Sequence, residues 1–228
     1  MGRAKEIIVK VIPSKIANEF VKKHHYSGKV VPNSNLHFGA FLDNNLHGVL
    51  SFGSSTDKRK MLPLVKNTGW NEFIELNRMA FDDYLPKNSE SRCISIAIKM
   101  IKKHAPQIKW IISFADGCQC GDGTIYRASG FVLTGIKKNS GMRIDENGIV
   151  YSQVTFSTHR PNEMDKFRKM KKLEGYQLRY IYFIDKTCKD KLTVPIIPFT
   201  KIDELNAGMY KGKKVTQAER HNKKQPTQ

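Results

Sequence analysis

The sequence predicts an α+β fold in which helices flank one mixed β-sheet. Strand-like and helix-like segments alternate along most of the chain, with hairpin signals in the first half and a long helix between two later strands. A helical connection of that length joins parallel strands, whereas a hairpin joins antiparallel ones. Hydrophobic residues make up 39% and aromatic residues 10% of the 228 residues, which excludes a chain disordered throughout.

The first quarter of the chain predicts a strand, a helix and a hairpin. Residues 5–12 are rich in Ile and Val and end at a proline, which indicates a strand. Apolar residues at helical spacing predict a helix over residues 15–25, with basic side chains in the last turn, where they suit the helix dipole. Residues 37–42 and 46–52 flank an Asp-Asn-Asn turn sequence and predict a β-hairpin.

The middle of the chain predicts a strand, a helix and a buried strand. Residues 71–81 alternate apolar and polar side chains, which favours a strand. Capping side chains precede an apolar pattern of helical period over residues 89–103, and Pro106 follows its end. Residues 108–115 read IKWIISFA, the nearly continuous apolar run of a strand buried on both faces, and we expect it at the centre of the sheet.

The rest of the chain contains shorter segments. A short helix is predicted over residues 121–129, strands over 131–136, 149–156 and 178–185, and a basic helix over 166–173. Apolar density falls after Pro198, and the final residues are mostly basic. We therefore expect a single domain over residues 1–200 and a basic, partly disordered tail over residues 201–228.

Charge and cysteine content narrow the classes of function. Lys and Arg number 39 against 21 Asp and Glu, a formal net charge of +18, which favours a polyanionic partner such as nucleic acid. No apolar run is long enough to span a membrane, and no secretory signal is seen, so we expect a cytoplasmic protein without a membrane partner. The four cysteines are unevenly spaced, which argues against a disulfide framework and against a zinc finger.

Two places combine side chains that could carry chemistry. His25 and Tyr26 follow a predicted helix end, where side chains can point into a cleft, although His25 could simply complement the helix dipole while Tyr26 packs on the sheet. Asp116 follows the buried strand, at the sheet edge where α/β folds bind ligands, and Tyr126 lies in the next helix. The alternative makes Asp116 a turn former and Tyr126 a core aromatic.

A third place could bind an anion. Residues 88–92, read as NSESR, open a predicted helix with hydroxyls, free backbone N–H groups and a guanidinium, although ordinary capping needs only one of these. Basic side chains elsewhere are candidate phosphate contacts, although charge runs are usually solvated faces. The candidate anion ligands are Arg78, Asn88, Ser89, Ser91 and Arg92, and the candidate nucleic-acid contacts are Lys22, Lys23, Lys29, Lys58, Arg59 and Lys60.

These motifs, taken in order, resemble the phage Mom-like DNA-modification proteins. The matching motifs are HYS at 25–27, ELNRM at 75–79, NSESR at 88–92, SFAD at 113–116 and GTIY at 123–126. The resemblance covers roughly residues 11–136 and implies a GNAT-like acyltransferase fold for the predicted domain. It also implies a transferase that converts adenine N6 in phage double-stranded DNA to a carbamoylmethyl-type derivative, which protects the DNA from host restriction.

The resemblance also implies roles for individual residues. His25, Tyr26, Asp116 and Tyr126 match the family's active-site positions, and a bound iron is associated with His25, Asp116 and Tyr126. The usual GNAT pyrophosphate loop is replaced by residues 88–92, which puts acetyl-CoA in doubt and leaves an unknown acyl or aminoacyl donor. A flipped-out adenine would have to reach these residues. A homodimer is among the expected assemblies. A GNAT-like acetyltransferase acting on a protein or small-molecule amine and a non-catalytic DNA-binding protein remain alternative functions.

Overall fold

The structure, a computed structural model, describes residues 3–119, 121–210 and 213–214. The chain divides into two units, and each is considered by itself. Unit 1 contains Met1–Phe114, Thr124–Thr134 and Arg179–Ile197, and unit 2 contains Ala115–Gly123, Gly135–Leu178 and Pro198–Gln228. The expectation of a single domain over residues 1–200 stays a prediction.

Helices and strands alternate along the described chain. The α-helices are α1 (Ser14–His24), α2 (Lys58–Met61), α3 (Ser89–His104), α4 (Thr124–Ala128), α5 (Gln153–His159), α6 (Met164–Lys169) and α7 (Thr200–Glu204). The strands are β1 (Ile8–Val11), β2 (Ser34–Leu42), β3 (Asn45–Gly53), β4 (Phe73–Phe81), β5 (Trp110–Asp116), β6 (Val132–Lys138), β7 (Met142–Ile144), β8 (Val150–Ser152), β9 (Lys171–Lys172), β10 (Tyr176–Phe183), β11 (Met209–Tyr210) and β12 (Lys213–Lys214). Short 3₁₀ segments lie at Arg3–Glu6, Leu62–Leu64, Pro161–Glu163 and Lys186–Lys191.

The larger sheet is mixed, as the sequence predicts. Within the described residues it has seven strands in the order β1-β2-β3-β4-β5-β10-β6. Strands β1 to β4 pair antiparallel, and β4 pairs parallel with β5 after the connection through α3. The α+β class, with a mostly antiparallel first half and a helical crossover, is therefore confirmed. The buried strand predicted from IKWIISFA is β5, which lies beside the middle strand of the seven.

The hairpin between β2 and β3 forms where its turn residues predict. Asp43 and Asn44 have positive φ values of 50° and 62°, the backbone conformation of a type I′ turn. Asx side chains tolerate this conformation better than most residues do. Register then pairs Gly39 with Val49 and His37 with Ser51 across the two strands.

Unit 1 packs apolar side chains on one face of its sheet. Helix α1 contributes Ala17 and Val21, which pack with Val49 and Ala80 of β3 and β4. Further along the same sheet, the Trp110 ring stacks on Phe73 with ring centres 4.2 Å apart. Burial of such aromatic pairs supplies a large share of core stability.

Unit 2 differs from two of the predictions. A three-stranded sheet in the order β8-β7-β9 is seen in its described part. The predicted strand over residues 149–156 is wrong in its second half, because Gln153–His159 is helical and brings Phe156 onto Phe167, 5.1 Å between ring centres. The predicted helix over residues 166–173 ends at Lys169, since the following residues pair with β7.

The C-terminal region begins with a helix rather than with a tail. Helix α7 spans the expected boundary at residue 200, and its Ile202 is buried. Most of the predicted tail, residues 211–212 and 215–228, lies outside the described residues. Among the helices that are described, none has the length and apolar character to cross a membrane.

Candidate active site

The end of α1 fixes the imidazole of His25. The backbone N–H of His25 donates to the Val21 carbonyl and closes the helix. Its ring Nδ1 lies 2.8 Å from the Ser27 hydroxyl oxygen and accepts the Ser27 backbone N–H at 3.1 Å. Because Nδ1 accepts from a backbone N–H, the proton of the neutral ring belongs on Nε2.

His25 is held in its neutral form. Burial, and secondly the positive charge of Arg78, lower the pKa of His25 from 6.5 to about 4. The Tyr26 ring lies 4.2 Å from the His25 ring at 34°, and 46% of the Tyr26 side chain is exposed. The pair therefore offers a neutral imidazole beside an aromatic ring that a planar ligand can reach.

Arg78 joins the loop after α1 to the middle of the sheet. Its Nε donates to the Lys29 carbonyl at 3.0 Å, and one terminal nitrogen donates to the Asn77 carbonyl at 2.9 Å. These bonds use two of the five N–H donors of the guanidinium and leave capacity for an anion. The structure therefore brings together three of the predicted residues: His25, Tyr26 and Arg78.

A β-bulge in β4 sets which side chains accompany Arg78. Ser51 pairs with Arg78 and Phe52 with Leu76, so that Asn77 is an extra residue on β4. Glu75 pairs with Gly53 and Arg78 pairs with Ser51 on the neighbouring strand β3. Because Gly53 and Ser51 share a face of the sheet, Glu75 and Arg78 also lie on that face.

Hydrogen bonds fix the bulge in one geometry. Asn77, 6% exposed, accepts from the Ser34 hydroxyl at 3.0 Å and donates to the Ser54 carbonyl at 3.3 Å. A buried amide with both ends engaged keeps the backbone of β4 from shifting its register. Arg78 and Glu75 are consequently positioned by the sheet rather than by a mobile loop.

Glu75 is a titratable group that the sequence analysis did not select. Burial raises the pKa of the Glu75 carboxyl, and hydrogen bonds from Ser55 and Asn77 and the charge of Arg78 oppose that rise. The sequence carried one signal, an acid inside a strand whose neighbours on both sides are apolar. A carboxylate with a raised pKa is a stronger base than an ordinary one and can accept a proton from a ligand.

Strands β4 and β5 separate next to this face. Their parallel register covers Phe73–Glu75 and Trp110–Ile112, although both strands continue. At the next residues along the two strands, the Ser113 hydroxyl donates to the Leu76 carbonyl at 3.0 Å. In a regular parallel pair, a backbone N–H would donate to that carbonyl instead. Diverging strands expose backbone groups to which an extended ligand with amide groups can bind.

The residues at the start of α3 mostly bond to nearby backbone. The buried Ser89 hydroxyl donates to the Pro86 carbonyl, and the Ser91 hydroxyl donates to the Asn88 carbonyl at 3.1 Å. Arg92 donates to the Lys5 carbonyl at 3.2 Å, and Asn88 is left-handed, with φ 69°. Both hydroxyl protons are thus used within the turn, and donor binding by these residues stays a prediction.

The other two predicted site residues belong to different units. Asp116, in unit 2, accepts the Cys118 backbone N–H at 3.0 Å and the Gln119 side-chain amide at 2.8 Å. Tyr126, in unit 1, is 8% exposed and packs 5.3 Å from the Tyr180 ring. The expected roles of Asp116 and Tyr126 stay predictions.

The iron expected from the resemblance meets an obstacle at His25. A metal at Nε2 needs the ring proton on Nδ1, whereas the Ser27 backbone N–H requires Nδ1 to accept. In the described part of the chain, no three His, Cys, Asp or Glu side chains form a metal-binding group. As positioned, the ring presents an N–H rather than a lone pair at Nε2, and iron binding by His25, Asp116 and Tyr126 stays a prediction.

The predicted nucleic-acid contacts lie on exposed segments of unit 1. Five of the six lysines and arginines are exposed, while Lys58 is half-buried. Lys60 pairs with Asp57 at 2.6 Å, which reduces its availability to a phosphate. The other exposed ones are Lys22, Lys23, Lys29 and Arg59.

Comparison with known proteins identifies the family. The Mom protein family model matches residues 6–201. The chain belongs to the Mom protein family. The methylcarbamoylase mom of Escherichia phage Mu is a family relative, 33% identical over 200 residues that cover 85% of this chain and 82% of the phage Mu protein.

Solved structures that are similar to this Mom-family chain include three acetyltransferases. An IAA acetyltransferase from Bacillus cereus is 14% identical with a TM-score of 0.46, over 78% of this chain and 99% of that one. The spermidine/spermine N-acetyltransferase SpeG from Vibrio cholerae is 9% identical with a TM-score of 0.47, over 83% and 99%. A ribosomal-protein-S5-alanine acetyltransferase from Vibrio fischeri is 14% identical with a TM-score of 0.48, over 79% and 94%.

Proposed function

We propose that this Mom-family chain transfers a carbamoylmethyl-type group to the N6 atom of adenine in double-stranded phage DNA. Family membership and the phage Mu relative named methylcarbamoylase support a transferase. The observation that carries the DNA proposal is the shared face of β4, where Glu75, a carboxyl of raised pKa, accompanies Arg78, whose charge acts on the neutral His25. A net charge of +18 supports a polyanionic substrate.

The exposed Tyr26 ring gives the base a place to stack. A paired adenine must swing out of the duplex before N6 can react, which costs a few kcal/mol of stacking and pairing. Stacking on an aromatic side chain returns about 1–3 kcal/mol, and phosphate contacts from Lys22, Lys23 and Lys29 add to this. Tyr26 therefore offsets the cost of flipping at the place where the titratable groups lie.

Glu75 is the group best suited to accept the N6 proton. The N6 lone pair is delocalised into the purine ring, so the proton must leave as the bond from N6 to the donor carbon forms. His25, whose pKa is about 4, is a weak base and serves instead as a neutral hydrogen-bond donor through Nε2. Burial raises the pKa of Glu75, which makes its carboxylate the stronger proton acceptor of the two.

Arg78 and the separation of β4 from β5 suit the other substrate, the group donor. The guanidinium stabilises negative charge that develops on the donor or its leaving group. An extended donor with amide groups could bind to the backbone exposed where the two strands diverge. Residues 88–92 stand where a GNAT-type glycine loop would precede α3, which argues against acetyl-CoA as the donor.

Mass spectrometry of nucleosides from cells that produce the protein tests the proposal. We expect a new deoxyadenosine derivative with a carbamoylmethyl-type mass increase. Glu75→Gln, which keeps the shape of the side chain, should lower the yield about 10²–10⁴-fold, while Glu6→Gln, an exposed acid-to-amide control, should leave it unchanged.

Two results would contradict the proposal. DNA binding without any modified nucleoside would favour the non-catalytic alternative. Unmodified DNA together with tight acetyl-CoA binding in calorimetry would favour the acetyltransferase alternative. Full modification by Glu75→Gln would keep the function and remove the assigned proton acceptor.

A further inference from the structure

Trp70 is an exposed aromatic ring that the candidate site does not use. The chain has two tryptophans, and they differ sharply: Trp70 is 49% exposed, whereas Trp110 is 0% exposed and stacks on Phe73. One exposed apolar side chain is common on protein surfaces. The charges around Trp70 and the rigidity of its turn are what distinguish it.

One cation lies over the exposed indole, and two more lie on neighbouring segments of the chain. The Lys58 ammonium lies 5.0 Å from the Trp70 ring centre and 5.3 Å from that of Phe73, which holds Lys58 over the aromatic surface. Arg59 and Lys66 lie on the flanking segments and are exposed. Nearby acids are already neutralised: Asp57 pairs with Lys60, and Glu72 pairs with Lys109 at 2.7 Å. Over the described residues, Lys58, Arg59 and Lys66 form no ion pair, so the local charge is positive.

The turn that carries Trp70 is fixed by several hydrogen bonds. The Gly69 N–H donates to the Glu72 carboxylate at 2.7 Å, and the Glu72 N–H donates back to the Gly69 carbonyl at 3.1 Å. Lys109 donates its backbone N–H to the Glu72 carbonyl at 2.7 Å. A ring on such a turn loses little conformational entropy when it binds. Trp70 is therefore an anchored contact rather than a loose loop side chain.

Trp70 stands near the beginning of β4, the strand that carries the candidate site. Alternation places Phe73 on the same face as Glu75, and the bulge keeps Arg78 on that face. Phe73 and Arg78 are about 17 Å apart at ~3.3 Å per strand residue. Trp70 precedes Phe73 by three residues, so it lies beyond the end of β4 that is farther from Arg78.

We propose that Trp70, Lys58, Arg59 and Lys66 form a second contact with the DNA duplex, a contact that rests on the proposed function. The cations bind phosphates, and the Trp70 indole enters a base step near the flipped adenine as an apolar wedge. Wedges of this kind unstack neighbouring bases and bend the duplex. Unstacking of base pairs near the target adenine lowers the free-energy cost of flipping that adenine out of the duplex. A wedge close to the candidate site would therefore assist the proposed reaction.

Tryptophan fluorescence of the full chain tests this contact. A short mixed-sequence duplex, labelled for anisotropy, is titrated into the protein while tryptophan emission is recorded. We expect the duplex to quench the emission, and Trp70→Phe to abolish the quenching because Trp110 is buried. Trp70→Ala should weaken duplex affinity about tenfold. Ile196→Ala, which removes a side chain of similar exposure at 42%, should not change it.

Each other outcome overturns the inference. Duplex binding with unchanged tryptophan emission, or equal affinity for Trp70→Ala, shows that Trp70 does not contact DNA, while modified deoxyadenosine in cells would still support the proposed function. Emission that changes with protein concentration alone assigns the surface to a second copy of the chain. Absence of both duplex binding and modified nucleosides overturns the proposed function together with the inference.

Discussion

Lowering the pH should destabilise this protein through His25. The imidazole has a pKa of about 4 in the folded state and an ordinary value of 6.5 when exposed. The unfolded chain therefore binds a proton at His25 between those values while the folded chain does not, so stability falls as the pH falls through that window. Linkage gives a loss of about 2 kcal/mol at pH 5 relative to pH 7.5, and about 3 kcal/mol below pH 4.

The assay compares the wild type with His25→Asn, whose amide can still accept the Ser27 N–H. Other groups titrate in both proteins, so the difference between their pH dependences isolates His25. For a chain of this size, about 2 kcal/mol corresponds to about 4–8 °C in melting temperature. We expect the wild type to lose that much more than the variant between pH 7.5 and pH 5. Equal losses, or an imidazole NMR titration midpoint above 6 for His25, would refute the assigned burial.

Two further predictions concern packing. Trp110→Ala removes a fully buried ring stacked on Phe73 and should lower the free energy of unfolding, measured by urea denaturation, by about 3–5 kcal/mol. Trp70→Phe should change it by less than about 0.5 kcal/mol. Similar losses for the two variants would contradict the difference in burial. Gly53→Ala should destabilise the protein by about 1–3 kcal/mol, because a Cβ there would overlap the Asn33 carbonyl and lie 2.7 Å from the Ser34 Cα. The control in the same thermal-melting experiment is Gly69→Ala, whose added Cβ would lie 3.4 Å from the nearest atom.

Local sequence patterns predicted the larger sheet well. The Asp-Asn-Asn turn, the capping residues before α3 and the apolar run of β5 each carry their own short-range signal, and each element formed where it was expected. Short amphipathic segments did not carry such a signal. Residues 149–156 contain Val, Tyr and Phe, which favour a strand, but packing of Phe156 on Phe167 stabilises a helix over Gln153–His159.

The candidate site was only partly visible in the sequence. His25, Tyr26 and Arg78 could be named because a helix end and a family resemblance marked them, yet their proximity depends on Arg78 reaching the Lys29 carbonyl across the fold. Glu75 was missed because nothing in a run of residues shows how deeply a carboxyl is buried, and burial is what raises its pKa. The hydroxyls of Ser89 and Ser91 were chosen for their chemistry, but neighbouring carbonyls accept their protons.

The bulge residue Asn77 lets the Glu75 carboxyl and the Arg78 guanidinium lie on the same face of β4. Glu75 and Arg78 are three positions apart, an odd interval that in a regular strand sends two side chains to opposite sides. A regular strand of the same sequence, without the bulge at Asn77, would keep every titratable group and nearly all the apolar surface, yet Glu75 and Arg78 could no longer address the same ligand. In this strand, the number of residues between two groups matters as much as their identity.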